Sequence, residues 1–121
     1  MRAVIDSDVL IDYLQGLRPA KVELDRYERR EMSIISWMEV MSGADSAEEA
    51  AACRQFLETF TVHPVSAAVA EEAVRLRAAF RIRLPDAIVW ATARSEGCLL
   101  VTRNARDFPP TEPGVRIPYA V

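Results

Sequence analysis

The sequence predicts an α/β fold, a three-layer sandwich with a central parallel sheet flanked by helices. Short apolar runs of β character alternate with longer segments whose apolar residues recur at helical spacing. Strands that alternate with helices form parallel β-α units joined by crossovers. No repeat, low-complexity tract or linker interrupts the 121 residues, so a single domain over residues 1–121 is expected.

Residues 2–5 form a short apolar run ending at Asp6, and Val9, Leu10, Ile11, Tyr13 and Leu14 follow at helical spacing until Gly16 and Pro19. This predicts a strand, a tight turn and a helix. Residues 20–30 are charged and amphipathic, with Val22, Leu24 and Tyr27, and predict a helix. Residues 32–35 are β-like, after which Ser36 opens a helix through Met41 that ends near Gly43. Residues 46–60 are alanine-rich, with Ala50, Cys53 and Leu57 on one helical face. A short strand is expected at 61–65 and an amphipathic helix at 66–80. Pro85 starts a nearly apolar helix that Gly97 ends. Residues 98–102 predict another strand, and 115–117 a last one.

Half the residues are apolar and 27% are charged, the balance of a water-soluble domain that can bury a core without disulfides. Cys53 and Cys98 lack any CxxC or Cys/His spacing, which predicts free, buried thiols and a reducing cytoplasm. Asp6 arrives too early for a signal-peptide apolar region, and no apolar run approaches the roughly 18 residues of a membrane span. The net charge of −3 argues against a passive nucleic-acid binder, unless the acidic residues gather at a metal site that inverts the local charge. Lys21 is the only lysine among the 15 basic residues, a bias more typical of a GC-rich genome than of phosphate recognition.

Three acidic residues stand where the neighbouring sequence is otherwise apolar: Asp6, Glu39 and Asp86. Each has a structural explanation of its own. Asp6 or Ser7 can cap a helix. Ser36 and Glu39 fit the S-x-x-E capping box. Asp86 follows a proline and complements the dipole of a first turn. Three caps do not explain why all three carboxylates sit beside the most apolar stretches. Converging carboxylates repel and raise one another's pKa unless a cation neutralises them. Hard oxygen donors without His or Cys suit Mg²⁺ or Mn²⁺ rather than zinc. The chemistry this implies is metal-assisted hydrolysis of a phosphodiester.

Four segments resemble the PIN domain, in particular the VapC-type toxins of bacterial and archaeal toxin–antitoxin pairs. They are Val-Ile-Asp-Ser-Asp-Val-Leu-Ile-Asp at 4–12, Ile-Ser-Trp-Met-Glu-Val at 35–40, Leu-Pro-Asp-Ala-Ile-Val-Trp-Ala-Thr-Ala at 84–93 and Leu-Val-Thr-Arg-Asn-Ala-Arg-Asp-Phe at 100–108. Their order and spacing agree over nearly the whole chain. The resemblance implies a Mg²⁺-dependent endoribonuclease that cleaves single-stranded RNA and is neutralised by a cognate VapB-like antitoxin; a homodimer is expected as well. It assigns metal binding to Asp6 and Asp86, with Glu39 completing the cluster directly or through water. A fourth family position, often Asp, falls on Asn104, an amide that adds no charge and cannot act as a base. Asp107 is a candidate to compensate, its alternative being a turn residue. Asp8 is also unusual for the family and either adds a ligand or solvates its turn. Asp12 is expected to be structural.

Ser7 and Thr102 are candidate hydroxyls for holding carboxylates or a phosphate, and Arg103 and Arg106 flank the site as candidate phosphate ligands. Arg75, Arg77, Arg81 and Arg83 form a basic cluster that suits RNA, an acidic partner or an ordinary solvated face. His63 has no partner at catalytic or metal spacing. Trp37 and Trp90 lie in apolar helices, where packing is expected before base stacking. Asp6-Ser-Asp8 also resembles the D-x-D pair of haloacid dehalogenase phosphatases, but Lys21 is badly placed and the chain too short for that fold. The alternative function is a catalytically silent PIN-like module that binds a partner protein.

Overall fold

A computed structural model describes residues 1–121 as five strands and six helices. In chain order these are β1 (Arg2–Ile5), α1 (Ser7–Leu14), α2 (Arg18–Leu24), β2 (Arg29–Ser33), α3 (Ile34–Ser42), α4 (Ala47–Leu57), β3 (Thr61–His63), α5 (Ala67–Phe80), α6 (Leu84–Glu96), β4 (Leu99–Val101) and β5 (Val115–Arg116). All strand pairs are parallel, in the order β3-β2-β1-β4-β5. The α/β sandwich expected from the alternating pattern is what the chain forms.

Side chains alternate across β1, so that Ala3 and Ile5 face one layer and Val4 the other. On the first face Ala3, Ile5 and Val101 pack with Val9 and Leu10 of α1, Ala20 and Leu24 of α2, Val40 of α3 and Leu57 of α4. On the second, Val4 and Leu100 meet Val69, Ala73 and Leu76 of α5 and Ala87, Trp90 and Ala91 of α6. Trp90 lies at the centre of this layer, with ring centroids 4.7 Å from Phe80 and 6.0 Å from Phe108. It is 1% exposed, so it packs and does not stack on a base. Trp37 is half-buried and lies under the Arg54 guanidinium. Cys53 and Cys98 are free, as expected, but half-buried rather than enclosed.

Three elements depart from the sequence pattern. The helix read over 20–30 stops at Leu24, and Arg29, Arg30 and Glu31 belong to β2. Charge in this strand hid it: Glu31 is completely buried, held by Arg2 Nε and Nη2 at 2.7 and 2.8 Å and by His63 Nε2 at 2.7 Å. His63 therefore has a partner that spacing did not reveal. The helix expected to open at Ser36 starts two residues earlier, and its cap is Ser33, whose Oγ accepts from the Ile35 amide. A variant of the S-x-x-E cap forms instead at Ser46 and Glu49, where Ser46 Oγ accepts from the Glu49 amide and Glu49 Oε2 accepts from the amide of Asp45, one residue before the cap. Glu39 is thus released from capping.

The link from α5 to α6 is only Arg81, Ile82 and Arg83. Arg81 caps α5 in the left-handed region, at φ 56° and ψ 36°, and donates its amide to the Arg77 carbonyl. A side chain there costs about 1 kcal/mol that glycine avoids. Arg81→Gly should raise the urea midpoint by a stability gain of about 1 kcal/mol, with the slope of the transition unchanged.

Candidate active site

The order 3-2-1-4-5 means that the chain leaves β1 toward β2 and β3, then crosses back to add β4 and β5 on the other side. The crossing point lies between β1 and β4, where diverging connections open a crevice at the carboxyl ends of a parallel sheet. Asp6 follows β1 there and Thr102 follows β4; the Asp6 amide donates to the Val101 carbonyl at 2.9 Å.

Asp6 is both a helix cap and the centre of the site. Its Oδ1 accepts from the Ser7 amide at 2.8 Å and its Oδ2 from Thr102 Oγ1 at 2.9 Å. Thr102 Oγ1 also lies 3.2 Å from Asp8 Oδ2 and accepts from the Asn104 amide at 3.1 Å. The hydroxyl has one proton for two carboxylates, so one of them is always under-supplied. Burial, then the neighbouring Asp8, raises Asp6 well above the ordinary carboxylate range, against the pull of Thr102 and Ser7; Asp86 adds to the rise. Asp8 is likewise raised by burial, opposed by the Val9 and Arg103 amides.

Glu39, on α3, accepts from Ser7 Oγ at 3.0 Å, which orients it toward the end of β1. Asp86 sits in the first turn of α6, raised by burial and by the charges of Asp107 and Glu39, while Arg83 pulls it down. Its Oδ2 is buried without a hydrogen-bond donor; Arg83 Nε approaches to 3.4 Å but is poorly aligned. Asn104 and Asp107 form a reciprocal pair, Nδ2 donating to Asp107 Oδ2 at 2.8 Å and the Asp107 amide to Asn104 Oδ1 at 3.3 Å. The amide at 104 thus holds the carboxylate at 107, and Asp107 lies in the field of Asp86.

Arg103 is differently employed than its position in the sequence suggests. Its guanidinium binds both oxygens of buried Asp12, which also accepts from Tyr119 Oη at 2.8 Å. This tie joins α1 to the loop after β4 and to the C-terminal residues. Asp12 is structural, as expected.

Two carboxylates sharing the single Thr102 proton, a buried Asp86 oxygen without a donor and carboxylates raised by burial all fit a cation-binding site built of oxygen donors. No three of these carboxylates close to within 4.8 Å, as expected of unneutralised charges. The group that does is Glu31, His63 and Glu96, drawn from β2, β3 and the end of α6. There Arg2 binds both Glu31 oxygens and reaches Glu96 Oε1 at 2.9 Å, so a guanidinium already supplies the positive charge. Sequence spacing gave no sign of this network.

Residues 3–110 match the family model of the PIN domain. A chain of a toxin–antitoxin complex from Klebsiella pneumoniae superposes with a TM-score of 0.93 at 40% identity, covering 98% of this chain and 99% of the other. A chain of the DNA-bound VapBC of Salmonella typhimurium gives a TM-score of 0.80 at 22% identity, with 96% of each chain covered. One from FitAcB of Neisseria gonorrhoeae gives 0.79 at 19%, with both chains fully covered. No curated protein sequence matches the chain.

Asp6 holds its proton to higher pH in the folded protein than in the unfolded chain. Between the ordinary carboxylate pKa and the raised one, only the folded state carries that proton, so stability without cation falls as pH rises through this window. Thermal unfolding in EDTA from pH 5 to 8 should show Tm falling, and Asp6→Asn should flatten the fall. Saturating Mg²⁺ at ten times its Kd should stabilise the wild type by about 1.4 kcal/mol, a shift of a few degrees, and Asp6→Asn should lose that shift.

Proposed function

On the premise that the chain belongs to the PIN domain family, we propose that it is a metal-dependent endoribonuclease, the toxin of a toxin–antitoxin pair. The observation that supports this most is that Asp6, Asp86 and Glu39 lie within one another's electrostatic reach near the crossing point of the sheet, with a buried Asp86 oxygen left without a donor. The donor set is all oxygen, which favours Mg²⁺, with Mn²⁺ able to replace it. Asp6 and Asp86 would hold the ion, with Glu39 joining them directly or through water. Bound there, such an ion polarises a phosphate oxygen and makes a nearby water more acidic.

The chain's own residues do the rest. Thr102 fixes Asp6, and Ser7 fixes Glu39. Asn104 carries no charge, but its amide holds Asp107 Oδ2 and leaves Asp107 Oδ1 to take a proton from the attacking water. The water oxygen bonds to phosphorus, and the ester oxygen leaves with its electron pair and is protonated from solvent. The cognate antitoxin is VapB-like, on the likeness to toxin–antitoxin and VapBC complexes, and is expected to place an arginine among the carboxylates. Met38 and Leu14 stay exposed and offer apolar faces for a homodimer. No helix is long and apolar enough to cross a membrane; we place the protein in the cytoplasm.

The test is cleavage of a mixed single-stranded RNA pool with Mg²⁺, Mn²⁺ or EDTA, beside Asp6→Ala, Asp86→Ala and Asp107→Asn. Metal-dependent cutting should vanish in the first two variants, and kcat should fall about 100-fold in the third. Cutting that survives Asp6→Ala and Asp86→Ala would place the chemistry elsewhere. No cutting with any metal, including on structured transfer and ribosomal RNA, would favour the catalytically silent binding module.

A further inference from the structure

A cleft lined by carboxylates repels the polyanion it has to bind. A cation held by the cluster would offset this at the scissile phosphate, but the flanking phosphates need a cation of the protein's own. Arg103, the nearest arginine in the motif, is committed to Asp12. Arg83 is the other guanidinium in contact with the cluster, and its circumstances are the reverse. Its side chain is 77% exposed, and its Nε and Nη2 lie 3.4 and 4.0 Å from Asp86 Oδ2 and Asp107 Oδ2, neither as an aligned hydrogen bond. A guanidinium held this loosely exchanges carboxylate for phosphate with little loss.

Its anchorage, in contrast, is firm. Ile82 on one side is buried against the α5–α6 layer, and Leu84 and Pro85 on the other form the first turn of α6. Arg81 in the left-handed region fixes the turn that brings the segment there. Short tethers on both sides fix the backbone from which the Arg83 side chain reaches Asp86 and Asp107.

We propose that Arg83 is a substrate-binding residue that receives a phosphate of single-stranded RNA beside the carboxylate cluster, exchanging its contacts with Asp86 and Asp107 for the bound strand. This rests on the nuclease reading and adds to it the cation that recognises the RNA backbone. Arginine suits the task because its planar fork binds phosphate through two parallel N–H donors, whereas lysine offers a point charge.

The experiment is fluorescence anisotropy of labelled single-stranded RNA with the full chain in EDTA, where metal-dependent cutting is off, over a series of salt concentrations. Arg83→Gln should weaken binding several-fold and lower the slope of log affinity against log salt by about 0.7, the signature of one lost phosphate contact on a single strand. Arg83→Lys should keep the slope. Arg77→Gln makes the same charge change on the exposed part of α5 and should leave the slope as in wild type. Arg103→Gln should lower Tm and also leave the slope alone. With Mg²⁺, Arg83→Gln should raise KM more than it lowers kcat. An unchanged slope in Arg83→Gln, or an equal loss in Arg77→Gln, overturns the assignment. Wild type that cuts RNA while Arg83→Gln binds it normally sinks this inference alone. Wild type with neither salt-dependent binding nor cutting sinks the nuclease reading with it.

Discussion

The structure turns on a carboxylate enclosed where the sheet changes direction. Asp6 leaves β1 at the only place where connections diverge, so its backbone continues a strand while its side chain starts a helix. That position buries it to 6% exposure, beside Asp8 and within the field of Asp86. Burying a charge without a partner is too costly to persist, so such a group either keeps its proton or takes a cation. Thr102, Ser7 and the end of β4 hold Asp6 in place without neutralising it. The geometry is prepared and the charge is left open.

Glu31 shows what the same sheet does with a carboxylate that has no such task. It is more deeply buried than Asp6, yet its pKa moves the other way, held down by Arg2 first and by His63 against the effect of burial. Glu23 is treated similarly, with Arg116 on both oxygens and Tyr27 donating to one. The fold therefore has the means to neutralise buried acids internally and uses them elsewhere. Around Asp6 and Asp86 it supplies hydroxyls, an amide and one loosely held arginine, which leaves room for an ion and a phosphate.

Much of this was legible in the sequence. The strand ending at Asp6, the apolar helix headed by Asp86 and the parallel order follow from apolar spacing alone, because both faces of the sheet are buried. Glu39 was legible as a carboxylate out of place, though its capping explanation failed once Ser33 took the cap. What was hidden depended on partners distant in sequence. Glu31 gave no sign of its burial because Arg2 and His63, which neutralise it, lie 29 and 32 positions away. Arg103 looked free because Asp12 is 91 positions away. Arg29 and Arg30 read as the end of a charged helix although they open β2, where Arg30 pairs with Asp25 outside the sheet. Local pattern reports burial well and ion pairing poorly.

The central claim is that the carboxylates after β1 and at the head of α6 are one cation site. Diffraction from crystals of the protein soaked in Mn²⁺, measured at the manganese absorption edge, tests it most directly. The account predicts an anomalous peak bonded to Asp6 and Asp86, with Glu39 bound directly or through a water. A peak at Glu31, His63 and Glu96, or none near Asp6 at saturating Mn²⁺, would contradict it.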